Sequence, residues 1–308
     1  MHVIRVPSSL DYSTVDSVFQ QCAQVAEGKA LFDAGYLRFV DPQGLVGLLS
    51  AGALLKRRLG QAPHLRLPRQ TKVLGYLARI RFFEQARRFF SMQARRPREF
   101  AASSDVLLEI TPVTTNSDVH AVVDRVQSRA GTILTRTLGY PLVTVVQFSV
   151  VLSEVCQNII EHAEAPGWVA AQAYYWAKRR ERWMLVIAVS DLGRGFRESL
   201  AAEHAGGYGK RWGDGTALEA AFLHGVTRFQ DSGRGQGIQQ IRRQVRRWDG
   251  LISIRSGTAR IADVPDWDDT PALEQGLARF PGAQINIVLP AKERGKEKSR
   301  MTDPGPDS

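Results

Sequence analysis

The strongest constraint on the fold is the apolar run Met184-Leu185-Val186-Ile187-Ala188-Val189-Ser190, which stops abruptly at Asp191 and passes into Leu192-Gly193-Arg194-Gly195-Phe196. Residues Met184–Ala188 are almost all large and apolar, the pattern of a buried strand. The charged turn Lys178–Arg182 separates this strand from Val169–Trp176, and the two read as a hairpin. A carboxylate at the mouth of a buried strand is costly without a partner. Asp191 is therefore a candidate binding residue, and Gly193 and Gly195 allow the backbone to turn tightly against a ligand.

Around this hairpin the chain alternates strand and helix signals, which places it in the α/β class. Val3–Val6, Ala30–Ala34, Leu37–Val40 and Leu65–Leu67 read as strands; Thr14–Ala26, Gly44–Leu59 and Thr71–Ile80 read as helices. A polar stretch without periodicity near Pro97–Ser104 divides the chain into expected domains at 1–97 and 105–290. In the second domain, Val106–Ile110 is a strand, and Asp118–Leu138 and Leu142–Ala163 are helices. Residues after Gly195 are rich in glycine and read as irregular up to a helix near Leu218–His224. Helix Ile238–Trp248 and strands Leu251–Arg255 and Ile285–Leu289 follow. Residues 291–308 are charged, carry almost no apolar side chains and read as a disordered tail.

Two cysteines, Cys22 and Cys156, are too few for a disulfide framework or a zinc site, and their scarcity fits a reducing cytoplasm. No secretory leader and no membrane span is legible. The formal charge of +10 is concentrated early: residues 1–100 hold 16 Lys and Arg against 7 Asp and Glu. Lys56–Arg98 alone has 13 basic residues and the single acid Glu84. Such a face suits nucleic acid, an acidic protein surface or lipid headgroups, and equally a solvated helical surface.

Two further segments carry chemistry. In LSEVCQNIIEHA, Glu154, Asn158 and His162 recur at helical spacing on one face, while Val151, Val155, Ile159 and Ile160 supply a core surface. An amide oxygen plus phosphate oxygens is a partial shell for Mg2+, and a carboxylate one turn earlier can activate water. In Ser232-Gly233-Arg234-Gly235-Gln236-Gly237, three alternating glycines lead into a helix, a phosphate cradle by virtue of free backbone N–H groups and the helix start. It is neither a Walker A loop nor a dinucleotide fingerprint. Asp191, for its part, can accept from the exocyclic amine of adenine and would repel the carbonyl of guanine.

Taken together, the order and spacing of these three segments resemble the N, G1 and G2 boxes of the GHKL superfamily of histidine-kinase-like ATPases. The resemblance covers about residues 105–290. It implies a Bergerat-type α/β sandwich, a mixed sheet covered by helices on one face, binding ATP and Mg2+. It assigns Glu154 as water-activating base, Asn158 as metal ligand and Asp191 as adenine anchor. Gly193, Gly195, Gly233, Gly235 and Gly237 become nucleotide contacts, with His162 where the family often has a basic residue. The stretch between Gly195 and Gly233 resembles an ATP lid, where Lys210, Arg228 or Arg234 could meet a phosphate. Family members often carry Gly-Thr before the last strand, whereas Gly282 here is followed by Ala283, an expected peripheral difference.

The first domain resembles a STAS domain, on the segment LRFVDPQGLVGLLSAGALLKRRLG. Phosphorylated members of that family carry Ser or Thr directly after the Asp; Pro42 stands here and has no hydroxyl.

None of the six histidines is followed by Asp or Glu, so a sensor histidine kinase is rejected. The expected function is a cytoplasmic, nucleotide-gated regulatory switch with slow ATP hydrolysis, signalling through a protein partner of sigma or anti-sigma type or through self-association. The alternatives are a serine/threonine kinase of the anti-sigma type acting on a separate protein, and a nucleic-acid-binding scaffold using the basic face 56–98.

Overall fold

Short parallel strands and amphipathic helices alternate through the first 92 residues. They are β1 (His2–Arg5), β2 (Ser9–Leu10), α1 (Val15–Ala23), β3 (Ala30–Asp33), β4 (Phe39–Val40), α2 (Pro42–Leu59), β5 (His64–Arg66), α3 (Thr71–Arg79) and α4 (Phe82–Ala86). The computed structural model describes residues 1–92, 106–159, 165, 167–176, 181–226 and 237–292. Three of the strands form a parallel sheet in the order β1-β3-β5, and β2 pairs with β4. Helix α2 shows why this segment folds as the sequence suggests. The Asp41 carboxylate accepts from the Gly44 N–H at 2.7 Å, Pro42 occupies the first turn, and Gly60 ends the helix at φ 67°. Part of the early positive charge is structural: Arg58 donates to the carbonyls of Cys22 and Val25, satisfying the end of α1.

The second half runs β6 (Val106–Val113), α5 (Asn116–Thr132), α6 (Val143–Asn158), β7 (Gly167–Trp176), β8 (Arg182–Asp191), α7 (Phe196–Tyr208), α8 (Asp214–His224), α9 (Gly237–Arg247), β9 (Leu251–Asp263) and β10 (Leu273–Pro290). A wide helical turn, Ile133–Thr137, extends α5. The five strands form one sheet in the order β6-β7-β8-β10-β9. Every pairing is antiparallel, so the expectation of a mixed sheet is corrected. The physical reason is connectivity: β7–β8 and β9–β10 are consecutive neighbours joined without a crossover, which dictates antiparallel pairing.

One face of this sheet packs its Leu185, Ile187, Ile285 and Ile287 against Val126 of α5 and Phe148 of α6. The opposite face is covered by the N-terminal segment, so the expectation of cover on one face only is also corrected. Ala170, Ala188 and Phe280 of the sheet share a core with Phe19 of α1 and Ala51 of α2. Small residues on both sides bring α2 close enough for the Ser50 and Ser190 hydroxyls to meet at 2.9 Å. An ion-pair network reinforces the seam: Arg255 donates to Asp16 of α1 at 2.6 Å, and Arg260 reaches the other Asp16 oxygen at 2.8 Å.

Two further expectations change. The glycine-rich stretch after Gly195 is not irregular: α7 occupies Phe196–Tyr208, a short turn covers Gly209–Arg211, and α8 begins at Asp214. The last two strands are also longer than their apolar centres, because β9 and β10 continue as a ribbon through Asp263 and Leu273. The expected tail at 291–308 lies outside the described residues from 293 onward. Among the described residues no helix is long and apolar enough to cross a membrane.

Candidate functional site

Asp191 closes β8 and is 6% exposed. Its two oxygens accept from the backbone N–H groups of Gly193 at 3.0 Å and Ala283 at 3.3 Å. Burial pushes its carboxyl up to about 7, and the two backbone donors only partly offset that. The sign of the consequence is fixed. Between the ordinary carboxylate range and pH 7 the folded chain keeps a proton that the unfolded chain has lost, so this group subtracts stability as pH rises through that window. A buried acid held at such a cost has the character of a binding group.

Gly282 presses on the same carboxylate: a Cβ there would collide with Asp191 Oδ1 and with the Asp191 carbonyl. The Gly282-Ala283 pair, expected to be peripheral, is thus in direct contact with Asp191. Gly195 is confined as well, since a Cβ would lie 2.6 Å from Ser256 Oγ and 2.9 Å from the Pro281 carbonyl. Ser256 Oγ itself accepts from the Phe196 N–H at 3.1 Å and donates to the Gly282 carbonyl at 2.8 Å. The start of α7 is therefore tied to β9 and β10. Neither Ser256 nor Ala283 is distinguishable in the sequence, because their role comes from the register of β9 against β10, which pairs them directly.

The helix-borne residues approach from the other layer. Glu154 and Asn158 lie on α6, and Asn158 Nδ2 donates to the Glu154 carbonyl at 2.9 Å. Ile159, immediately after Asn158, packs on Gly167, where a Cβ would sit 2.9 Å from Ile159 Cδ1. Gly167 is the register partner of Asp191 across β7 and β8. The end of α6 and the Asp191 end of the sheet are thus adjacent through that packing. At the start of α9, a Cβ on Gly237 would lie 2.7 Å from Glu154 Oε2. The N-terminus of α9 therefore abuts the Glu154 carboxylate, on the side where the helix dipole favours negative charge.

Of the residues singled out from the sequence, Glu154, Asn158, Asp191, Gly193, Gly195 and Gly237 are described. Gly237 meets Glu154, and Gly193 and Gly195 lie on the turn after Asp191. His162, Gly233, Gly235, Arg228 and Arg234 lie outside the described residues. Lys210 is on an exposed turn. Among the described residues no group of three or more His, Cys, Asp or Glu side chains could hold a metal ion. No family model matches this chain, and no curated protein matches it.

Proposed function

We propose that the chain is a Mg-ATP-binding regulatory protein of the GHKL type, with a STAS-like N-terminal unit, acting as a nucleotide-gated switch. One observation carries the reading: a buried carboxylate at a strand end, with a helix start abutting a second carboxylate in the adjoining layer. In this reading Asp191 takes the adenine amine, and the backbone at Gly193 and Gly195 follows the base. The amide oxygen of Asn158 meets Mg2+, since its nitrogen is engaged by Glu154. Gly237 and the preceding Gly233 and Gly235 give N–H groups to the phosphates, and His162 adds a further contact. ATP supplies a phosphoanhydride bond, and Glu154 holds and deprotonates the water that attacks it. The close approach of Gly237 to Glu154 supports this division of labour, because it brings the proposed base beside the phosphate-binding helix start.

The N-terminal unit then belongs to the signalling side. Pro42 takes a buried position in the first turn of α2, where a hydroxyl acceptor would stand in phosphorylated STAS proteins. A regulatory signal therefore passes through protein contacts rather than through a phosphate at this position, and the partner is a separate protein or a second copy. Glu154→Ala tests the division directly. It should bind Mg-ATP about as tightly as the parent and release phosphate at least about a hundredfold more slowly, in line with loss of a general base. Phosphate release at the parental rate would remove Glu154 from the reaction. With γ-labelled ATP and candidate partners, label on a protein would instead favour the kinase alternative.

A further inference from the structure

Where the N-terminal segment meets β7, a cavity of about 190 Å3 opens between the two layers. Its walls are largely apolar and aromatic, with Val40, Val73 and the rings of Phe39 and Tyr174, whose centroids are 5.3 Å apart. Polar side chains line it from opposite layers, Tyr76 on α3 and Gln172 and Tyr174 on β7. Tyr76 Oη, Tyr174 Oη and Gln172 Oε1 are all buried atoms without a hydrogen-bond partner among the described residues. The Gln172 amide nitrogen is engaged, donating to the Ala173 carbonyl at 3.1 Å, so the oxygen is the atom still owed a donor. Nearby, Asp41 uses one oxygen to cap α2 and leaves the other, Oδ2, buried and unpartnered as well. Arg38 and Lys72, both exposed, stand at the cavity and belong to its lining.

Buried polar atoms are nearly always paired, and the three unpaired oxygens lining this cavity, those of Tyr76, Gln172 and Tyr174, call for a ligand that pairs them. The pattern is that of a small-molecule pocket, mostly apolar walls with a few convergent polar groups. The volume admits a single ring and little more. The two cations favour a negative charge on the ligand, and the Gln172 oxygen requires a donor on the ring.

We propose that this cavity binds a small one-ring aromatic carboxylate carrying a hydroxyl or amine, with its ring against Phe39 and Tyr174, its donor toward Gln172 and its carboxylate toward Lys72 and Arg38. Tyr76 Oη pairs with the same ligand from the N-terminal side. The ligand thereby joins the N-terminal segment to β7, the strand whose first residue, Gly167, is paired with Asp191. The site stands independently of the nucleotide reading.

The test uses the full chain and 4-hydroxybenzoate, benzoate and 4-hydroxybenzyl alcohol as probes, followed by calorimetry and ligand-detected NMR. The hydroxybenzoate should bind, and the other two should be weaker by roughly fivefold or more, since each lacks one polar end. Lys72→Gln, an exposed change that leaves the fold alone, should weaken the hydroxybenzoate by about threefold to tenfold and leave the alcohol unaffected. Tyr76→Phe should weaken it by about fivefold while leaving the ligand-free melting temperature unchanged or higher, because it deletes a hydroxyl that has no partner. No binding at millimolar probe, or equal binding by parent and both variants, would overturn the proposal. So would a Tyr76→Phe chain that melts lower without ligand, which would mean the hydroxyl is already paired in the fold.

Discussion

The two faces of the five-stranded sheet are built on opposite terms. Toward α5, α6, α8 and α9 the sheet presents Leu185, Ile187 and Val189, Ile252 and Ile254, and Ile285, Ile287 and Leu289, all apolar and nearly inaccessible. Toward the N-terminal segment the same strands present Ser190, Ser253, Arg255, Gln284 and Asn286, which are just as deeply buried. Several of these polar groups are unsatisfied: both amide atoms of Gln284 and of Asn286, and one nitrogen of Arg255, have no partner among the described residues. Burying an amide without a partner costs free energy that an apolar residue would not. The helical face is therefore a folding core. The N-terminal face adds the Ser50–Ser190 contact and the Asp16 ion pairs to an apolar core of its own that includes Ala188 and Phe280.

Three substitutions break or sharpen that contrast. The largest effect belongs to the dry face: Phe148→Ala, at a position with no exposure, should cost about 3–5 kcal/mol in urea unfolding. On the polar face, Asp16→Ala should cost about 3 kcal/mol, because it strands the Arg255 guanidinium, 3% exposed, with its charge uncompensated. Comparable losses from Asp16→Ala and an uncharged pair, Asp16→Leu with Arg255→Met, would show that packing rather than charge holds the seam. The smallest effect carries the most information. Asn286→Val deletes an amide that lies between Ala188 and Ser253 in the register, and it should change stability by less than about 1 kcal/mol, in the stabilising direction. A loss of several kcal/mol would mean that the Asn286 amide is satisfied in solution.

The same contrast explains what the sequence could and could not reveal. The buried strand was legible in the run Met184–Val189, whose residues alternate between the two faces, and the spacing of Val151, Val155 and Ile159 marks a core-facing helix. The candidate site was legible at Asp191, Glu154 and Asn158 because each is polar against an apolar background. The polar face was not. Alternating Gln284 and Asn286 with apolar neighbours is the signature of a half-solvated strand, so nothing local announces that α1 and α2 cover it. Helix α7 escaped notice because it buries little beyond Ser199 and Leu200 and ends in Gly206 and Gly207, leaving no apolar stripe to read. The β9–β10 ribbon carries Arg260, Glu274, Gly276 and Arg279, charges and a glycine that mimic a loop. The contact of Gly282 and Ala283 with Asp191 depends on register alone, which no single sequence displays.

The most direct test of the proposed site compares the parent with Asp191→Ala in a thermal melt, with and without Mg-ATP at about one hundred times the dissociation constant measured for the parent. If Asp191 anchors the base, nucleotide stabilises the parent by roughly 2.7 kcal/mol and leaves the melting temperature of Asp191→Ala where it was. Equal stabilisation of both chains would place the nucleotide elsewhere, and no stabilisation of either would remove it from the account.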